Sequence, residues 1–219
     1  MDDPRTLLDR YSLWPRKSLG QNFLVDPNAP ERIVDCADLT AKDTVLEVGA
    51  GLGTLTAALA ARAGRVIAVE TDPELVGVLH NELDHMDNVR IVQGDIMEVS
   101  IPDLLGEEGA ESDEDPHLWG PLDRHYHVVA NLPYYITSAV VRRLLEAAVR
   151  PATIVITVQR EVAQRMTADP GDMSLLAVSV QFYGKPDLCL RLGRGAFYPV
   201  PKVNSAVVRI DLYEAPPVD

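Results

Sequence analysis

From residue 44 the chain alternates short apolar runs with longer stretches of helical spacing. The runs span residues 44–48 (TVLEV), 65–69 (RVIAV), 89–92 (VRIV), 126–130 (YHVVA) and 152–158 (ATIVITV). Each is rich in β-branched residues and nearly continuous, as a strand covered on both faces requires. Between them, residues 55–63, 73–83 and 138–148 carry helical periodicity suited to crossover connections, with Asp72 placed as an N-cap before a proline. After residue 184 the rhythm changes. Residues 186–192 and 205–212 (SAVVRIDL) read as a closing antiparallel pair, joined by the loop GRGAFYPVPKVN with no helix in it. The expectation is an α/β fold with a mostly parallel seven-stranded sheet and a final antiparallel strand. Residues 1–43 form an N-terminal segment, 44–213 the main domain, and 214–219 a tail.

Composition adds bounds. The 219 residues are 47% hydrophobic, enough for one packed domain, and no run approaches a membrane span. The first residues, MDDPRTLLDR, lack the basic and apolar regions of a secretory signal, so a cytoplasmic protein without membrane contact is expected, and it is expected to be a monomer. Cys36 and Cys189, distant in sequence and set in apolar surroundings, read as reduced, packed thiols. The formal net charge of −13 argues against a polyanionic partner. Its distribution weakens that inference, because residues 106–127 alone carry seven acidic residues and one basic. Residues 128–219 carry ten basic against eight acidic. The stretch 106–125 reads as a solvated acidic insertion between strands.

The first strand runs through Glu47 into Gly49-Ala50-Gly51-Leu52-Gly53 and on into a helix. A glycine-rich turn at the first strand-to-helix junction of such a sheet is where cofactors bind. A dinucleotide fingerprint is G-x-G-x-x-G, whereas the third glycine here comes one residue early. A loop preceded by a carboxylate suits the cationic end of S-adenosylmethionine better than a pyrophosphate. Glu70 closes the second strand, placed to accept both ribose hydroxyls. Asp95, in Gly94-Asp95-Ile96, follows the third, placed to accept from an adenine amino group. Any one of these alone is a solvated strand-end charge; three in register at successive strand ends point to a site.

Asn131-Leu132-Pro133-Tyr134 stands at the end of the fourth strand. The lone pair of an exocyclic amine is delocalised into its ring, so its N–H groups need acceptors to favour a pyramidal, nucleophilic geometry. The Asn131 side-chain oxygen and a backbone carbonyl held by the proline supply two. Tyr134 can stack on a base presented unpaired. Most of the catalysis is then positioning for in-line attack on a methyl group.

With these motifs the sequence resembles the ribosomal RNA adenine N6-dimethyltransferases, which modify two adjacent adenines near the 3′ end of small-subunit rRNA. The resemblance covers residues 17–212. It rests also on Ser18-Leu19-Gly20-Gln21-Asn22-Phe23-Leu24, on residues 159–165 (QREVAQR) and on residues 197–207 (FYPVPKVNSAV). It implies a Rossmann-like methyltransferase fold, S-adenosyl-L-methionine as cofactor, and immature small subunits as partner. The implied cofactor set is Asn22, Leu24, Gly49, Gly51, Glu70, Asp95, Ile96 and Asn131. The implied catalytic set is Asn131, Leu132, Pro133, Tyr134 and Phe197, with Phe197 opposite Tyr134 as the second half of an aromatic clamp. The N-terminal segment is expected to serve both cofactor and RNA.

Candidate phosphate contacts are Arg5, Arg10, Arg16, Lys17, Arg142, Arg143, Arg160, Arg165, Arg191, Arg194 and Lys202. No metal is expected, and His117, His125 and His127 read as surface histidines. Family members usually continue into a small helical domain that grips the ribosome; its absence here predicts weaker ribosome affinity with a complete catalytic fold. Three alternatives stay open: a large-subunit resistance methyltransferase, a ribosome-assembly or transcription factor that keeps the fold, and an NAD-dependent oxidoreductase.

Overall fold

The computed structural model describes residues 2–106 and 126–214. Most of the acidic insertion, with His117 and His125, and nearly all of the tail lie outside the described residues. One seven-stranded sheet organises the chain. Its strands are β2 (Thr44–Val48), β3 (Arg65–Glu70), β4 (Val89–Gln93), β5 (Tyr126–Asn131), β6 (Thr153–Gln159), β7 (Gly184–Leu192) and β9 (Ser205–Leu212). They lie in the order β4-β3-β2-β5-β6-β9-β7. Strands β2 to β6 run parallel to one another, and β9 runs antiparallel to both β6 and β7. The expected sheet is therefore the observed one.

The central strands are buried throughout, which is why their apolar runs do not alternate. Leu46, Val128, Ile154 and Val208 pack on one face with α5 (Ile101–Leu105), α6 (Thr137–Leu145), α7 (Arg160–Met166) and α8 (Leu175–Tyr183). Val45, Val129, Val155 and Val207 pack on the other with α2 (Ala29–Ala37) and α3 (Thr54–Ala60). Between β3 and β4 runs α4 (Pro73–Leu83), whose N-cap Asp72 accepts a hydrogen bond from the Glu74 amide, as the sequence indicates.

Before the sheet lie α1 (Pro4–Arg10) and the two-residue strand β1 (Phe23–Leu24). β1 pairs with β8 (Phe197–Tyr198), an element inside the late loop, with Phe23 opposite Tyr198 and Leu24 opposite Phe197. A single 3-10 turn, Arg194–Ala196, precedes β8 in that same loop. The sequence pattern predicts none of α1, α2, α5, α7 and α8. The signal for α2 was present, since Ala29, Ile33, Val34 and Ala37 share its buried face behind a proline at its start. The residues of α8, LLAVSVQFY, are apolar all round and carry no helical period to read.

The cysteines are not isolated in apolar surroundings. Cys189 is exposed, at the bulge that shifts the β7–β9 register. It faces Cys36 on α2, whose thiol is pushed up to about 12 by burial and by this neighbour. His127 is not a surface histidine either. It lies within β5, 3.6 Å from the Asp43 carboxylate with its side chain 16% exposed.

Candidate functional site

The expected cofactor residues and Asn131 to Tyr134 come to the carboxyl end of the parallel strands. The strand order reverses about β2, with β3 and β4 to one side and β5 and β6 to the other. The crevice this leaves is lined by Asn22, Leu24, Glu47, Gly49, Gly51, Glu70, Asp95, Ile96 and residues 131–136. The whole expected cofactor set and four of the five expected catalytic residues meet there.

Glu47 is 1% exposed, and neither of its oxygens has a hydrogen-bond partner. Burial pushes its carboxyl up to about 8, offset in part by the nearby Thr56 hydroxyl, with Glu70 adding a like charge. An orphaned carboxylate in a cleft is complementary to a cation. Beside it, Gly49 takes φ +75°, and a Cβ there would meet nothing within 4 Å. The open space above that glycine leaves room for a ligand to approach the backbone.

Glu70 is committed differently from expectation. One oxygen accepts from the Gly51 amide at 2.8 Å, and the other from the Thr71 and Asp72 amides at 2.9 Å each. Burial raises its pKa and these amides pull it back. Three of roughly four acceptor positions on this carboxylate are taken, so it holds the glycine loop in place and has one position left open. Asp95 uses one oxygen on the Met97 amide at 2.8 Å, while exposing the rest of its carboxylate to the crevice.

Residues 20–22 pack directly against the Asn131 motif. The Asn22 side chain donates to the Gly20 carbonyl at 2.8 Å, and Asn131 Nδ2 donates to the Asn22 carbonyl at 3.1 Å. With its amide nitrogen so placed, Asn131 presents Oδ1 as its acceptor. A Cβ on Gly20, at φ +60°, would stand 3.0 Å from the Tyr135 ring and 3.2 Å from Pro133. The segment is seated by Arg16 and Gln21, which both bond the Asp72 carboxylate at 3.0 Å.

Phe197 does not join the site. It is 1% exposed, packed with Leu24, Leu192 and Val207 beneath the crevice, and offers no face to a base. The physical reason is the β1–β8 ribbon, which turns the phenylalanine into the core opposite Leu24. Ser205, which opens β9 directly after the late loop, reaches the site instead: its hydroxyl lies 2.7 Å from that of Tyr134. Among the expected phosphate contacts, Arg10 is paired with Asp2 and Glu82, Arg16 with Asp72 and Glu74, and Arg142 with Glu146. Arg160, Arg194 and Lys202 line one groove with Gln159, Glu161, Gln164 and Asn204. Among the described residues no group of three or more metal-ligating side chains stands together, and no helix is long and apolar enough to cross a membrane.

The sequence profile described as ribosomal RNA adenine dimethylase matches residues 14–219. Proteins described as ribosomal RNA small subunit methyltransferase A are similar over nearly the whole chain. That of Dehalococcoides mccartyi strain CBDB1 is 44% identical over 210 residues, 96% of this chain and 67% of its own length. That of Pelotomaculum thermopropionicum is 45% identical over 218 residues, 98% of this chain and 71% of its own. Among solved structures, the 23S rRNA methyltransferase ErmE superposes with a TM-score of 0.74 at 31% identity, covering 90% of this chain and 72% of that one. A dimethyladenosine transferase from Plasmodium falciparum gives 0.72 at 25% identity, covering 88% and 64%.

Proposed function

Because the chain belongs to the ribosomal RNA adenine dimethylase family, we propose that it dimethylates N6 of two adjacent adenines near the 3′ end of small-subunit rRNA. It is an S-adenosylmethionine-dependent methyltransferase, and it works as a cytoplasmic monomer on the immature subunit. The observation that carries the reading is Asn131, which lines the crevice with its Nδ2 donating to the Asn22 carbonyl, leaving Oδ1 as its acceptor.

The crevice fits the cofactor. Glu47 would hold the ammonium of its amino acid tail, the open face of Gly49 would admit its backbone-hugging portion, Glu70 would take a ribose hydroxyl, and Asp95 the adenine amine. When bound, S-adenosylmethionine supplies an electrophilic methyl group on a sulfonium. The protein's own part is placement. Asn131 Oδ1 and the Leu132 carbonyl, held by Pro133, accept the two N6 hydrogens and so localise the nitrogen lone pair. Tyr134 stacks on the extruded base. The third glycine, one residue early for a pyrophosphate-binding turn, and a buried acid aimed at the crevice beside it disfavour an NAD-dependent oxidoreductase.

Between the two rRNA targets, the relatives of 44–45% identity favour the small subunit over the 31% identity to ErmE. Incubation with unmethylated small subunits, followed by mass mapping of the rRNA, tests the reading. Dimethyladenosine should appear near the 3′ end, and Asn131→Ala should abolish it. Modification of large-subunit rRNA alone, or full activity in Asn131→Ala, would refute it.

A further inference from the structure

Tyr134 stands at the mouth of the crevice on a short connection between β5 and α6, and its ring is half-buried. Within that connection one backbone bond holds the turn, from the Ile136 amide to the Pro133 carbonyl at 3.2 Å. The ring itself is tied elsewhere. Its hydroxyl lies 2.7 Å from Ser205 Oγ, 71 residues along the chain. Ser205 is fully buried and opens β9, paired with Gln159 on one side and Leu192 on the other. A residue held between two strands has little freedom, so its hydroxyl is a fixed point.

The preceding residue strengthens that anchorage. Asn204 accepts from the Arg160 amide through its backbone carbonyl at 2.9 Å and from the Arg194 amide through Oδ1 at 3.3 Å. The dipeptide Asn204-Ser205 therefore ties the start of α7, the loop before β8 and the aromatic ring of the Asn131 motif to one corner of the sheet.

We infer that Ser205 is a positioning residue for methyl transfer, holding the Tyr134 ring through their shared hydrogen bond at the angle that stacks the target adenine. The inference rests on the proposed function and deepens it. It also accounts for the late motif, FYPVPKVNS. Its phenylalanine secures the core under the site, and its serine reaches the reacting base through Tyr134. Without the bond the phenol can change rotamer, and a ring displaced by about an ångström costs up to about a hundredfold in rate.

Ser205→Ala, Tyr134→Phe and the double variant test this on unmethylated small subunits, with S-adenosylmethionine affinity measured by calorimetry and unfolding followed in parallel. Each single variant should lower kcat about tenfold. Cofactor affinity should stay within about twofold, and the double variant should be no slower than either single one. Wild-type kcat in Ser205→Ala, or losses that multiply in the double variant, would overturn the inference. If Ser205→Ala fails to fold, Tyr134→Phe removes the same bond from the other side, and wild-type kcat there overturns it alike. A wild-type protein that binds the cofactor but leaves small-subunit rRNA unmodified would refute the proposed function, and this inference with it.

Discussion

The buried Glu47 makes the protein's stability depend on pH in a direction opposite to that of most carboxylates. Its pKa rises from an ordinary 4.5 to about 8, so the folded chain binds a proton that the unfolded chain releases. That stabilisation is complete below pH 4.5, falls by roughly 1.4 kcal/mol per pH unit above it, and is gone once the pH passes 8. The full span is about 5 kcal/mol, a large share of a typical domain's stability. Glu47→Gln puts a neutral side chain of the same shape in the cleft. Its buried amide has its own desolvation cost, about 1–3 kcal/mol, but that cost does not vary with pH. The informative quantity is therefore the change between pH 5 and pH 8 in urea unfolding without cofactor. The native protein should lose about 3 to 4 kcal/mol more than Glu47→Gln across that window. Glu70 faces Glu47 and has a raised pKa of its own, so both proteins should retain a smaller common slope. S-adenosylmethionine binding adds a second readout. A cation docking on Glu47 should expel its proton at neutral pH, seen as a buffer-dependent calorimetric heat in the native protein and not in the variant. Equal pH slopes in the two proteins would refute the reasoning.

Asp95→Ala should weaken S-adenosylmethionine binding about tenfold without lowering the midpoint of unfolding, both readable by calorimetry. Phe197→Ala should cost about 3–5 kcal/mol of stability, and Phe197→Leu should stay active wherever it is folded; loss of kcat in a stable Phe197→Leu would restore the aromatic clamp. Gly20→Ala should lower kcat, because its Cβ would press on Tyr135 and Pro133, with cofactor affinity changing less than turnover. Lys202→Gln should raise KM for the subunit and reduce the salt slope of binding by about 1, measured by titrating salt in a subunit-binding assay. Deleting residues 107–115 should leave methylation intact; a folded but inactive deletion would place the acidic insertion in the recognition surface.

What could be read in the sequence was whatever local pattern encodes. The apolar runs gave the strands because both faces of the central sheet are covered. That Glu70, Asp95 and Asn131 would meet at one crevice was legible because a parallel sheet brings successive strand ends to one edge. What escaped was non-local. Leu24 pairs with Phe197, Cys36 faces Cys189, and Tyr134 bonds Ser205; each joins residues that no spacing relates. The clamp failed for this reason, since an aromatic in a glycine- and proline-rich loop reads as exposed until its partner strand is known. Glu70 does end its strand at the crevice, yet its three amide bonds could not be anticipated from a strand-end carboxylate.

The same non-local pairing changes the meaning of the charge. Counted along the chain, the N-terminal arginines looked available to phosphate. In the fold Arg10 and Arg16 reach to Glu82, Asp72 and Glu74 on and beside α4. Asp72 and Glu74, through Arg16 and Gln21, are what seat residues 16–22 against the Asn131 motif. Part of the acidic excess in the first half is thus structural glue for the site and no barrier to RNA. Arg160, Arg194 and Lys202 gather at the corner where Asn204 and Ser205 anchor Tyr134. A backbone phosphate held in that groove would lie on the same rigid corner as the ring proposed to stack the base, so affinity for the chain of nucleotides and alignment of the reacting adenine would be set together.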